Sequence, residues 1–378
     1  MRKVYLDNAA TTAMYPECID SFKKYGVEKF FNPSAVYAPS VEVSRVLKEA
    51  RREILSALHA PDGTVVFTAS GSEADNLALF GSRKPKGGKI VTTAGEHSAV
   101  INSAAELSAR GYEVVYAPLL PDGKVNLEEL EKLLDESVCL VSVMHVNNET
   151  GAVNDLKAVS KLVRRLSPSA IFHSDGVQGF LNVETNLKDM DVDLYSMSAH
   201  KIHGPKGVGA LYMKKGIRVS PIIFGGGQEY GIRSATENVP GIDAFRVAVE
   251  IGRKNFAAGV EHKKQILSYL REEIGKMDDV ILVSNPESPH VLTVTFKDVR
   301  GEVLMHALES HGIFVGIGSA CSSKKGVSRF KDLLGLDKGY DEGIVRISVS
   351  ENTSHADAEA LVEALSVEVP KLRKYKRI

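Results

Sequence analysis

From about Thr64 to Met213, short runs rich in β-branched and aliphatic residues alternate with amphipathic stretches, and this alternation leaves few folds open. The runs are Thr64 to Ala69, Lys89 to Thr93, Glu113 to Ala117, Val138 to Val146, Ala170 to Asp175, Val192 to Met197 and Val208 to Met213. The pattern predicts an α/β fold in which a mainly parallel, seven-stranded sheet is covered by helices. Ligands of such sheets gather where strands give way to loops. Farther along, Phe256 to Lys276 predicts a long helix. Val280 to Val283, Val291 to Phe296 and Ile344 to Val349 predict strands separated by helical segments, which together suggest a smaller α+β domain. With 378 residues there is enough chain for two unequal cores. The expected division is a large domain over 13–255 and a small one over 256–378, joined by residues 1–12.

Charge and cysteine usage narrow the function classes. A net charge of -1 argues against a broad nucleic-acid surface. No apolar run approaches the roughly 18 residues of a membrane helix, and the opening Met1-Arg2-Lys3-Val4-Tyr5-Leu6-Asp7-Asn8 turns polar before a signal core can form, so a cytoplasmic protein is expected. Three cysteines without a Cys-x-x-Cys spacing give neither a disulfide framework nor a zinc site. Cys139 sits in an apolar run and Cys18 at a helix start, both structural settings. Phosphate-loop, His-Glu-x-x-His and dinucleotide-binding glycine motifs are absent from the sequence, and no metal is expected.

The chemistry-bearing residues fall at strand ends. Lys201 lies in Ser198-Ala199-His200-Lys201, after an apolar strand and before the bend Gly204-Pro205-Lys206-Gly207. That setting suits an amine held partly dry, since only a neutral amine forms a Schiff base. Asp175 ends the preceding strand, one helix and one strand upstream, where a carboxylate could partner the protonated ring nitrogen of pyridoxal phosphate or simply cap a helix. Ser70-Gly71-Ser72 offers donors for a phosphate at a helix start, and Ser198 and His200 could add to them. His97 could stack on a ring, while Asn148 and Gln178 could reach a ring hydroxyl. Cys321 differs from the other cysteines: Gly318-Ser319-Ala320-Cys321 is small and polar, and Lys324 and Lys325 favour a thiolate. Arg346, on the polar face of its strand, suits either bidentate capture of a substrate carboxylate or a structural ion pair.

Taken in order, Tyr5-Leu6-Asp7-Asn8-Ala9-Ala10-Thr11-Thr12, His145-Val146-Asn147-Asn148-Glu149-Thr150-Gly151, Ser198-Ala199-His200-Lys201 and Gly318-Ser319-Ala320-Cys321 resemble the NifS/IscS-type cysteine desulfurases, which are fold-type I pyridoxal-phosphate enzymes of the class-V aminotransferase superfamily. The resemblance implies that L-cysteine is converted to L-alanine and its sulfur kept as a persulfide on Cys321. Lys201 would anchor the cofactor and move the substrate α-proton, with Asp175 on the pyridinium, His97 on the ring face and Gln178 at the phenolic oxygen. Gly71, Ser72, Ser198 and His200 would hold the phosphate, joined by Thr236 from the partner subunit of a homodimer. Asn32, Asn148 and Arg346 would grip the substrate. An iron–sulfur scaffold or a tRNA-thiolation enzyme would collect the sulfur. Selenocysteine lyase and an aminotransferase without sulfur chemistry are the neighbouring readings. One departure stands at Tyr37, where many relatives carry histidine.

Overall fold

A computed structural model describes residues 2–82, 87–285, 287–317, 335–337 and 339–375. Seven strands form its main sheet: β2 (Thr64–Thr68), β3 (Lys89–Thr93), β4 (Glu113–Ala117), β5 (Val138–Ser142), β6 (Ile171–Asp175), β7 (Leu194–Ser198) and β8 (Gly209–Met213). Their order across the sheet is β2-β8-β7-β6-β5-β3-β4. Every pair is parallel except the two made by β8, which runs antiparallel to both β2 and β7. The strand runs read from the sequence are all present, each within a few residues of its expected ends. Central strands such as β5 and β8 are buried along their whole length because helices cover both faces, so their sequences read as continuous apolar runs rather than alternating ones.

The connecting helices follow from local chemistry. In α3 (Gly71–Gly81), the Ser70 hydroxyl accepts from the Glu73 amide at 3.1 Å while the Glu73 carboxylate accepts from the Ala69 amide at 2.8 Å, so two amides at the helix start are satisfied. The helix α6 (Leu156–Leu166) starts at Asp155, whose carboxylate caps the Ala158 amide at 3.0 Å. It buries Leu156, Val159, Ser160 and Val163, a stripe at helical spacing. One further helix here, α4 (Ser98–Ala109), begins at His97.

A second apolar core lies in the later part of the chain. It joins helix α9 (Phe256–Gly275), strands β10 (Val291–Phe296) and β12 (Ile344–Ser348), and helices α10 (Gly301–Ser310) and α11 (His355–Tyr375) through Ile266, Leu270, Leu292, Phe296, Leu304, Ile347 and Leu361. Val4 and Leu6 of β1 (Val4–Leu6) belong to the same core, because β1 pairs in parallel with β11 (Ile313–Val315). From there the chain crosses to the main sheet. The Ala9 amide donates to the Ser348 hydroxyl at 2.8 Å, and the Thr12 amide donates to the His200 carbonyl at 3.0 Å. The segment from Asp7 to Thr12 therefore ties the second core to the loop that carries Lys201.

Candidate active site

At the carboxyl ends of the parallel strands, between the two cores, lies a cleft of about 660 Å³. The sheet delivers its lining in turn: Ser70, Gly71 and Ser72 follow β2, His97 follows β3, Asn148 follows β5, Asp175 ends β6, and Ser198, His200 and Lys201 follow β7. Gly316 and Arg346 close the opposite side from the second core.

Lys201 stands at the centre. Its Nζ donates to the carbonyls of Ala9 at 2.6 Å and Ala10 at 2.9 Å. Burial, aided by the Arg346 guanidinium, lowers its pKa to about 8 against the opposing pull of Asp175, Asp7 and Glu149. Such an amine is a nucleophile near neutral pH.

Asp175 is buried and accepts from the Val177 amide at 2.9 Å. Burial pushes its carboxyl upward, while His97, the Val177 amide and Lys201 favour the ionised form. The His97 Nδ1 accepts from the Ala99 amide at 3.1 Å, which caps the start of α4. The donor atoms of Asp75, His97 and Asp175 all lie within 4.8 Å of one another. A divalent cation could bridge that spacing, but the amine and guanidinium facing the same space suit an organic anion better.

A phosphate-bearing cofactor fits the donors present. Gly71 leaves room at the start of α3, where a Cβ would come within 2.6 Å of the Val177 side chain. Buried Ser198 has a hydroxyl without a partner among the described residues, the sort of vacancy a phosphate oxygen fills. The α3 amides and the positive end of its dipole add to this cradle. His200 bonds through Nδ1 to the Thr11 hydroxyl at 3.1 Å, and burial next to Lys201 and Lys206 lowers its pKa to about 4, so it enters the site as a neutral ring. Gln178 donates one amide hydrogen to the Ala9 carbonyl at 2.9 Å and accepts from His290 Nε2 at 2.8 Å, leaving a second amide hydrogen for the cleft.

Arg346 is fixed on three sides: to the Asp7 carboxylate at 2.8 Å, to the Asn148 carbonyl at 3.1 Å and, by charge, to Glu149 at 3.7 Å. Its Nε, buried, has no partner among the described residues. Gly316 permits this placement, since a Cβ there would reach 3.0 Å from the guanidinium and 2.6 Å from the Asp7 carboxylate. The ion pair and the substrate grip anticipated as alternatives for Arg346 are thus compatible.

Two expected residues are not brought to the cleft of their own chain. Asn32 is exposed, and its side chain accepts from the Ser34 amide at 2.9 Å, which commits it to a surface turn. Thr236 is exposed beside Glu237 and Asn238 in a separate hollow. Cys321, with the surrounding Gly318-to-Gly326 run, lies outside the described residues. Conversely, Asp7, Asp75 and Glu149 line the cleft without having been singled out, as do the carbonyls of Ala9 and Ala10 that hold Lys201.

The model of the aminotransferase class-V family matches residues 4–361. The cysteine desulfurase IscS of Clostridium botulinum is 35% identical over 385 residues, covering 100% of this chain and 96% of that protein. The cysteine desulfurase IscS of Methanosarcina thermophila is 33% identical over 98% of this chain and 93% of its own length. Among solved structures, a NifS-like protein superposes with a TM-score of 0.91 at 31% identity, covering 99% of this chain and 100% of that one. SspA in complex with cysteine superposes with a TM-score of 0.80 at 28% identity over 93% of this chain and 100% of that one.

Proposed function

This chain belongs to the class-V aminotransferase family, and on that footing we propose that it is a pyridoxal-phosphate-dependent cysteine desulfurase that converts L-cysteine to L-alanine. The observation that carries the reading is the placement of Lys201, whose burial lowers its pKa to about 8, and of the unsatisfied Arg346 Nε in one cleft with the buried Asp175. Amino-acid binding and a proton-moving amine are thereby joined.

In this reading Ser72, Ser198 and the start of α3 hold the cofactor phosphate, Asp175 meets the ring nitrogen, and His97 and Gln178 border the ring. When bound, the cofactor draws electrons from the substrate Cα and makes the bond between Cβ and sulfur labile. Arg346, together with Asn148, orients the substrate carboxylate. Lys201 takes the α-proton and returns it, a role for which a pKa of about 8 is suited. The thiolate of Cys321 attacks the substrate sulfur: a sulfur–sulfur bond forms, the bond from Cβ to sulfur breaks, and the electron pair left on Cβ takes up a proton to give the methyl group of alanine.

Two domains, 13–255 and 256–378 with 1–12, would meet at this cleft. A homodimer is supported by the exposure of Thr236, the residue that the family resemblance assigns to a partner's phosphate site, and by exposed Phe224 and Tyr230 nearby in sequence. The persulfide would pass to an iron–sulfur scaffold or a tRNA-thiolation enzyme in the cytoplasm. Among the described residues no helix is long and apolar enough to cross a membrane. Selenocysteine lyase and simple aminotransfer are not favoured by the desulfurase relatives. Incubation with sulfur-labelled cysteine, followed by alanine assay and mass spectrometry, should show alanine and one labelled sulfur on Cys321. Absence of alanine would remove the reading.

A further inference from the structure

Beneath the cleft lies a carboxyl group that the reaction as described leaves unused. Asp75, in the second turn of α3, is 1% exposed, and its Oδ1 has no hydrogen-bond partner among the described residues. It shares the floor of the cleft with Asp175. Behind it runs a buried polar chain: the Ser142 hydroxyl lies 2.9 Å from His173 Nδ1, His173 Nε2 lies 3.0 Å from the Ser196 hydroxyl, and His173 Nε2 stands 3.6 Å from Asp75 Oδ1.

The charges around this pair divide unequally. His97 and Lys201 act on Asp175 and favour its anion. On Asp75 the acting charges are Asp175 and Glu96, both negative, and burial adds to them in pushing its carboxyl well above the ordinary range, with only the Ser196 hydroxyl opposing. His173 brings no compensating charge, because burial lowers its pKa to about 3. Two buried carboxyl groups within 4.8 Å of each other oppose each other's ionisation, and Asp175 is the one that accepts from a backbone amide, that of Val177.

We propose that Asp75 is a positioning residue, a buried carboxylic acid neutral at pH 7 that supports Asp175 from behind and leaves it the single anion facing the ring nitrogen of the cofactor. The proposal rests on the reading that this cleft holds pyridoxal phosphate. A neutral Asp75 matches one ring cation to one carboxylate, whereas an ionised Asp75 would leave a buried charge without a partner.

The test uses two near-isosteric variants, Asp75→Asn and Asp75→Leu. In the infrared difference between apo native protein and Asp75→Asn at pH 7, the native side should show the carbonyl band of a protonated carboxylic acid; a difference confined to carboxylate bands overturns the proposal. Titrated with pyridoxal phosphate, Asp75→Asn should bind within about threefold of native and Asp75→Leu at least tenfold more weakly. A tenfold loss in Asp75→Asn, or native affinity in Asp75→Leu, overturns it. Should either variant fail to fold, carbon-13 NMR of native protein labelled at aspartate carboxyls decides: one buried aspartate must stay protonated through pH 7, and complete ionisation refutes the idea. Failure of native protein to bind the cofactor would defeat the proposed function while leaving the spectroscopic result on Asp75 intact.

Discussion

The reactivity of Lys201 offers a quantitative test. Its pKa of about 8 lies well below the ordinary 10.5, a difference of about 3 kcal/mol against the charged form. At pH 7.5 roughly a quarter of such an amine is neutral, against about one in a thousand for an unperturbed lysine, so its capture of an aldehyde should be faster by about two orders of magnitude. Fast mixing of apo-protein with pyridoxal phosphate between pH 6 and pH 10, followed by the visible absorbance of the bound cofactor, should give a rate that rises with pH about a midpoint near 8. The variants Arg346→Gln and Asp175→Asn supply the signs. Arg346 helps to lower the Lys201 pKa, so losing its charge should move the midpoint up. Asp175 raises it, so losing that charge should move the midpoint down. A midpoint within half a unit of 10.5, or the same direction of shift in both variants, would refute the account.

Three further outcomes are expected. Arg346→Lys keeps the charge but loses the planar fork, so one charge-assisted hydrogen bond worth about 1.5–3 kcal/mol should disappear and kcat/KM for cysteine should fall by roughly 10- to 100-fold in steady-state alanine assays. Cys321→Ala should keep cofactor absorbance and its change on adding cysteine yet yield no labelled sulfur on the protein; a native rate of alanine release would contradict the acceptor role. Burial alone would raise the Glu351 pKa, but His203 and Tyr15 outweigh it and hold the group at about 2. Its stabilisation is therefore complete above the unfolded value near 4.5 and fades as pH falls toward 2, so Glu351→Gln should lower stability by about 2–3 kcal/mol in urea unfolding at pH 7, with a narrowing gap in acid.

How much of this was legible depended on whether the deciding contact was local. The parallel sheet announced itself because each strand and helix carries its own periodicity. The reversal of β8 was readable in principle: between β7 and β8 there is a glycine-rich bend and one short turn, too little chain for the crossover that a parallel pair requires. That Lys201, Asp175 and His97 share one cleft was readable because they stand at strand ends, and the sheet brings strand ends together. Asp7, Asp75 and Glu149 gave no such signal. Each is an ordinary acidic residue in a loop or helix, and only the fold sets it against Arg346 or Asp175. The carbonyls that hold Lys201 are invisible to any reading of side-chain types. Asn32 shows the converse, a residue of the expected type whose side chain is taken up by a neighbouring backbone amide.

The path of Asp7 to Thr12 carries a consequence for biosynthesis. These residues are translated well ahead of Arg346 and Ser348, which they bond and which follow more than three hundred positions later. Through most of translation the nascent sheet can form with its mouth unfinished, lacking the guanidinium and the strand that anchors the opening segment. Vitamin capture in a competent geometry is thus deferred until the strand that carries Arg346 and Ser348 has been made.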